Sequence, residues 1–226
     1  MKKAALLALI ASLAITGSCY ADGNISVSDK AIVIAPGDDS GNFYAKIQND
    51  GDAPAGVDNG KLVLFSGNDE ILVTSDFVNT FPSRIVLNPG EYTYVKEFLW
   101  DSALKNQTIG DIKFSVDSTD RGTNAERIPC EAEYEINGSD SYDNYIHITV
   151  TNESDQTRKG YYLVGALLDT AGNLVYVDTN QYENVGLHAG STATFSLYID
   201  RDNINYLESN GIEIGSVDAI VYYITD

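Results

Sequence analysis

The chain has 226 residues, of which 43% are hydrophobic, and a formal net charge of −19. A chain this acidic repels nucleic acid and anionic membrane surfaces, so we expect neither as a partner. With only two cysteines and two histidines, the composition excludes a scaffold held by several disulfides and a zinc site built on several thiolates.

Residues 1–21 have the pattern of a secretory signal peptide. Lys2 and Lys3 form a charged tip, residues 4–15 (AALLALIASLAI) are apolar, and Cys19 and Ala21 are small residues that suit a cut after Ala21. The apolar run is shorter than the roughly 20 residues that span a bilayer. We therefore expect a secreted or cell-surface bacterial protein whose mature chain is not inserted in the membrane.

The alternative is a lipoprotein in which Cys19 becomes the lipid-modified first residue. Against this, Thr16 stands where bacterial lipoprotein signals usually carry Leu. After a cut behind Ala21, Cys130 is the only cysteine, so no intramolecular disulfide can form. The fold must then be held by its hydrophobic core.

Alternation of apolar and polar residues, typical of half-buried strands, dominates the rest of the chain. Residues 192–199 alternate strictly, and in 128–136 the apolar positions alternate with three glutamates. Turn-forming clusters separate such runs at 37–42, 88–90 and 169–173. Only 202–209 suits a short helical turn. The pattern predicts an all-β fold.

Two parts of the chain repeat each other. Residues 44–49 (YAKIQN) align with 147–152 (HITVTN), and the same spacing continues without a gap to 71–72 and 174–175. A repeat of about 100 residues is a whole domain and not a solenoid unit.

The repeat predicts two tandem immunoglobulin-like β-sandwich domains, at 22–120 and 121–226. Each copy offers about seven short strands separated by turn signals, as such sandwiches require. The polar stretch at 117–125 is the expected linker.

The second copy contains GSTATFSLYID at 190–200, and an upstream strand that ends in TNESD at 151–155. It resembles the bacterial extracellular FxLYD-type domain, a small immunoglobulin-like sandwich of secreted and surface proteins. The resemblance covers roughly 140–226, and the first copy is a weaker relative with VKEFLW at 95–100. In the second copy Ile199 separates Tyr198 from Asp200, which departs from the pattern. The resemblance implies a fold and no catalytic residue.

The TNESD stretch itself leaves three interpretations open. Asn152 begins a glycosylation sequon, and Glu153 and Asp155 offer oxygens to calcium, as Asp50 and Asp52 do in the first copy. The patterned series of a calcium loop is missing from both stretches. We favour a turn whose side chains bond the nearby backbone. Further sequons, which we interpret as chance matches in a bacterial chain, begin at Asn24, Asn106 and Asn137.

Residues that often carry catalysis have ordinary surroundings in this sequence. His147 alternates with apolar neighbours on a strand, His188 lies in a turn, and neither has a nucleophile motif nearby. Cys130 lies on the apolar face of its strand, where a thiol acts as a small hydrophobic side chain. We therefore predict no catalytic residue, no metal and no cofactor.

Aromatic residues provide the remaining candidate. Tyr92, Tyr94, Phe98 and Trp100 share one side of a strand, and in the second copy that side is polar and outward. If the register holds, an exposed aromatic stripe results, which could stack on sugar rings or bind a protein. The alternative is that these residues turn inward or are buried against the other domain.

The sequence favours a non-catalytic secreted or cell-surface protein that acts as a binding or spacer module. Its partner would be an unknown protein or glycan. The alternative is a carbohydrate-binding protein that uses Tyr92, Tyr94 and Trp100. A hydrolase with carboxylates at the domain junction is the least favoured hypothesis, because 33 acidic residues make coincidental carboxylate pairs common.

Overall fold

The computed structural model describes residues 23–34 and 37–224. The predicted signal peptide and the alternative lipid attachment at Cys19 lie outside these residues. Within the described part of the chain, no helix is long and apolar enough to cross a membrane.

The first half of the chain contains seven strands and one short 3-10 helix. The strands are β1 (Ile25–Ile34), β2 (Ser40–Asn49), β3 (Ala55–Ser66), β4 (Ile71–Val78), β5 (Val86–Leu87), β6 (Tyr92–Trp100) and β7 (Ile109–Thr119). The 3-10 helix, at Ser102–Leu104, links β6 to β7. We call β1 to β7 the first half.

The second half contains seven strands and one α-helix. The strands are β8 (Ala125–Ile128), β9 (Cys130–Glu135), β10 (Tyr145–Thr151), β11 (Arg158–Asp169), β12 (Leu174–Leu187), β13 (Thr192–Tyr198) and β14 (Ile214–Ile224). The helix α1 (Arg201–Ser209) lies between β13 and β14, where the sequence suits a short helical turn at 202–209. Its N-terminus is capped by the Asp200 side chain, which accepts a hydrogen bond from the Asp202 N–H at 2.8 Å.

Equivalent strands form equivalent sheets in the two halves. In the first half β1-β2-β6 form one sheet, and β3 pairs with β4, β5 and β7 in the other. In the second half β9-β10-β13 form one sheet and β12-β11-β14-β8 the other. Every pairing between these fourteen strands is antiparallel. The predicted all-β sandwich fold is confirmed, whereas the domain boundary near residue 120 stays a prediction.

Two of the four sheets are covered on both faces. Successive side chains of a strand point to opposite faces, so a run of consecutive buried residues marks a strand with cover on both sides. Such runs occur at 43–45 in β2, 163–167 in β11 and 174–177 in β12. The β1-β2-β6 sheet therefore packs against β12-β11-β14-β8, and the two sandwiches form four stacked layers.

Polar contacts fix the two central layers to each other. The hydroxyl groups of Tyr92 and Tyr94 both donate to one oxygen of Asp218 in β14, at 2.7 Å and 2.8 Å. Lys96 forms an ion pair with Asp178 in β12, with 2.7 Å between Nζ and Oδ1. We call this contact between the halves the junction.

Aromatic packing and a further backbone contact complete the junction. The rings of Tyr44 and Tyr176 meet edge to face with centroids 5.6 Å apart. The Leu174 N–H donates to the Asp29 carboxylate at 2.6 Å. Five residues on β1, β2 and β6 thus contact the second half, so the halves form one continuous core.

The same asparagine turn is built in both halves. Asn49 Nδ2 donates to the carbonyl oxygens of Ala53 and Leu87 at 2.8 Å and 2.9 Å. Asn152 Nδ2 makes the corresponding bonds to Gln156 and Leu187, at 2.7 Å and 2.8 Å. Each side chain ties the end of one strand to the end of a second, and both are fully or almost fully buried.

The turn interpretation of TNESD is therefore the one that the structure supports. The amide of Asn152 is occupied by two backbone carbonyls and is not exposed for glycosylation in the folded chain. Within the described residues, no group of three or more His, Cys, Asp or Glu side chains is arranged to hold a metal ion.

Replacing Asn152 with Ala is expected to lower the free energy of unfolding by about 1–3 kcal/mol, because the buried Leu187 carbonyl loses its donor and the Gln156 carbonyl loses one of two donors. Asn49→Ala should cost a similar amount, since its bonds are equivalent. Urea unfolding measures both, and Asn184→Ala, at an exposed position of β12, serves as the control. Equal stability of Asn152→Ala and the parent would contradict the structural role of this turn.

Tyr94→Phe is expected to destabilise the chain by about 1.5 kcal/mol, because the Asp218 carboxylate loses one of its two hydroxyl donors inside the junction. Tyr142→Phe changes an exposed ring and should leave the unfolding midpoint unchanged. If both variants unfold at the same urea concentration as the parent, the Tyr94 hydrogen bond does not stabilise the junction.

Alkaline pH is expected to destabilise the junction. Burial raises the pKa of Tyr222 to about 12, and it raises the pKa of Tyr94 further, with help from the charge of Asp218. An unfolded tyrosine ionises near pH 10. The stabilisation is complete below that pH and is lost as pH rises through the folded pKa values. Urea unfolding at about pH 8 and about pH 11 should show the loss, and Tyr94→Phe should lose less.

Candidate functional site

The outer end of β6 carries the largest exposed aromatic side chains of this strand. Trp100 is 77% exposed and Phe98 is 59% exposed. Both lie on the side of β6 that, further back along the strand, faces the second half. The strand thus starts inside the junction and ends in solvent.

The structure divides the predicted aromatic stripe of Tyr92, Tyr94 and Trp100. Tyr94 has no exposed surface, and Tyr92 is half-buried. The ring of Tyr92 is covered by two cations, Lys46 Nζ at 4.0 Å and the Arg127 guanidinium at 4.8 Å from its centroid. The chain therefore does not form an exposed stripe that includes Tyr94. Tyr92 and Tyr94 instead pack against the other half, which is the alternative stated from the sequence. Trp100 stays exposed to solvent.

A cleft opens beside Phe98, where the two halves meet. Its volume is about 210 Å³. The polar side chains that line it are Asp38, Ser40 and Asn42 from the first half and Asp200, Asp202 and Asn203 from the second half. We call it the junction cleft. Neither half contains it alone, since each supplies part of its lining.

Asn203 gives the junction cleft a fixed hydrogen-bond donor. The residue is only 6% exposed, and its Oδ1 accepts a bond from the buried hydroxyl of Tyr44 at 2.9 Å. Its Nδ2 makes no hydrogen bond to any of the described residues. An amide nitrogen has two donor hydrogens, and those of Asn203 are reached by solvent, since its Nδ2 is not one of the fully buried atoms that lack a partner. Because Asn203 lines the cleft, a ligand in the cleft can accept from this group.

The carboxylates around the cleft are acceptors. Asp200 caps α1 through its bond with the Asp202 N–H. The backbone N–H of Asp39 donates to Asp38 at 2.7 Å and lowers the pKa of the Asp38 carboxyl. Lys96 also lines the cleft, but its charge is balanced by Asp178. The cleft therefore combines negative charge, one fixed amide donor and an aromatic edge.

A general acid would need a carboxyl group that holds its proton near neutral pH. Glu97 is a carboxyl group whose pKa is raised by burial, but it lies on the other side of β6, within 3.3 Å of the Ser75 hydroxyl. It does not line the junction cleft. The geometry suits binding better than proton transfer.

The histidines and the described cysteine take structural positions. His147 Nδ1 lies 2.9 Å from the Ser196 hydroxyl, and His188 Nδ1 lies 3.0 Å from the Thr157 hydroxyl. Cys130 is half-buried, and burial raises the pKa of its thiol, which makes the reactive thiolate scarcer.

The alternation that marks strands in the sequence does not point to the cleft residues of the second half. Asp200, Asp202 and Asn203 lie at the start of α1, a segment expected only as a short turn. The available signal was the Asp200 cap followed by a helix-compatible stretch.

No family model matches the chain, and none of the curated proteins matches it. The relationship to FxLYD-type domains therefore stays a prediction. Among solved structures the chain is similar to red sea bream transglutaminase, with 8% sequence identity, coverage of 78% of this chain and a TM-score of 0.23. The match spans 27% of that protein's chain. A likeness at this level carries no argument about function.

Proposed function

We propose that the protein is a non-catalytic binding module of the bacterial cell exterior, either secreted or held at the cell surface. It contacts its partner through Trp100, Phe98 and the junction cleft. The observation that carries the proposal is the exposure of Trp100, a large aromatic side chain beside a polar cleft. Exposed apolar surface rimmed by polar residues is typical of interaction sites, and Trp is enriched where binding energy is concentrated.

Carbohydrate is the ligand class that a specific observation favours. A sugar presents hydroxyl groups that both donate and accept, together with apolar C–H faces. The carboxylates of Asp200 and Asp202 can accept from such hydroxyls, Asn203 Nδ2 can donate to them, and the aromatic rings suit the apolar faces. The broader proposal of a binding module also covers a protein partner on the same surface.

The junction also suits a spacer role. The two central layers are joined by the bonds of Asp218 and Asp178, so the two sandwiches are held in one orientation. A binding site at such a junction keeps a fixed geometry, because both of its walls are held by the same contacts.

A hydrolase remains the least favoured proposal. The junction carboxylates of Asp29, Asp178 and Asp218 each accept from a protein donor. They are engaged in holding the halves together, which is a structural use of their charge.

Trp100→Ala is expected to weaken binding by at least about tenfold, because a central aromatic contact is removed. The measurement is binding of the purified protein to a glycan array, followed by titration of the strongest hit. Phe77→Ala is the matched control, since Phe77 is 71% exposed and lies on β4, away from the cleft lining.

Equal binding by the parent and Trp100→Ala would contradict the use of this surface for carbohydrate. Release of shorter sugars from the bound glycan would contradict the non-catalytic proposal. The urea midpoints of both variants establish that the folded state is kept.

A further inference from the structure

The junction cleft does not end at α1. Asp200 and Asp202, which form one wall of it, also line a second compartment of about 490 Å³. The junction cleft alone is smaller than the ~300–1,000 Å³ of typical ligand sites, whereas the second compartment lies within that range. The two spaces share Asp200 and Asp202 in their linings and therefore adjoin each other, and we call the adjoining pair the junction groove.

The far end of the groove has its own aromatic residues. Tyr142 is 68% exposed and Tyr198 is 40% exposed, and both line the second compartment. These residues come from the second half, whereas Phe98 and Trp100 come from the first. Exposed aromatic rings thus lie at both ends of the groove.

The second aromatic pair is held in place by its neighbours. Arg201 lies with its guanidinium 4.7 Å from the centroid of the Tyr142 ring and donates to the Ser139 carbonyl at 2.7 Å. Tyr198 packs edge to face against Tyr145, with centroids 6.0 Å apart. Side chains that are already ordered lose little freedom on binding.

The polarity of the groove selects among ligands. Its centre offers the carboxylates of Asp200 and Asp202 as acceptors and the Asn203 amide as a donor. Lys96 is paired with Asp178, whereas Arg201 keeps its charge, because its partners are the Tyr142 ring and the Ser139 carbonyl. The carboxylates of the lining outnumber this one unbalanced cation. An anionic chain would be repelled by the carboxylates, while a neutral chain of sugars matches the donors, the acceptors and the rings.

We propose that the junction groove binds a linear, neutral oligosaccharide that crosses from one half to the other. Phe98 and Trp100 contact one end of the sugar chain, and Tyr142 and Tyr198 contact the other. This rests on the proposed binding function and adds the ligand's charge, its extended shape and a second contact site.

The test uses chain length as its variable. Calorimetric titrations compare disaccharides with hexasaccharides of neutral linear glucans, xylans and mannans, with oligogalacturonides as the acidic comparison and oligolysine as the basic one. The parent protein should bind the hexasaccharide of at least one neutral series at least about tenfold more tightly than its disaccharide, since only the longer chain reaches both aromatic pairs.

Variants at the second site separate this proposal from the broader one. The double variant Tyr142→Ala/Tyr198→Ala should weaken hexasaccharide binding at least about tenfold and leave the urea midpoint within the range of the control. Tyr134→Ala is that control, because Tyr134 is 38% exposed and does not line the groove.

Three results would overturn the extended groove. They are equal affinity for the disaccharide and the hexasaccharide, full binding by the double variant, and tighter binding of the acidic sugars or of oligolysine. If these occur while Trp100→Ala still abolishes binding to some partner, the proposed binding function survives without the groove. Absence of binding to every neutral series would overturn the carbohydrate assignment itself.

Discussion

The structure depends on a partly buried contact between two tyrosine hydroxyls and one carboxylate. Asp218 accepts from both Tyr92 and Tyr94 at the point where two sheets meet face to face. Without those donors the half-buried carboxylate would lose part of its solvation uncompensated, which is unfavourable for a charged group. With them, the outer face of one sandwich becomes an interior surface. The cleft beside Phe98 forms because the two faces are held together, since its lining residues come from both halves.

The copies of the repeat have diverged on equivalent faces. On β6 of the first half this face carries Tyr92, Tyr94 and Lys96, which enter the junction. On β13 of the second half it carries hydroxyl residues, with Thr192 bonded to Thr151 and Thr194 to Thr149 across the strands. The first face is buried by its neighbour, and the second remains polar and exposed. Of these two equivalent sheets, β1-β2-β6 therefore packs against the other half, and β9-β10-β13 presents this face to water.

Much of the fold was predictable because its signals are local. Alternation along 192–199 gave β13 and its buried side, with Phe195 and Leu197 inside. The repeated Asn of TNESD indicated a turn, and the structure shows the same bonds at Asn49 and Asn152. The aromatic stripe could not be resolved from the sequence, because Tyr94 meets a partner 124 residues further along the chain. Alternation gives the two faces of a strand but not what covers each of them. The second wall of the cleft was missed for a related reason, since Asp200 and Asn203 acquire their role only when α1 is placed against β2.

The contact between the two middle layers has a consequence for which part of the chain can fold by itself. In many proteins built from immunoglobulin-like sandwiches, each domain has its own core and can be exchanged between chains. Here Tyr44 and Tyr176, from different halves, are both fully or almost fully buried and touch each other. Separated, each half would present a large apolar face to water. We therefore expect the pair, and not a single half, to be the unit that folds stably, because a half made alone would expose the rings that now meet across the junction.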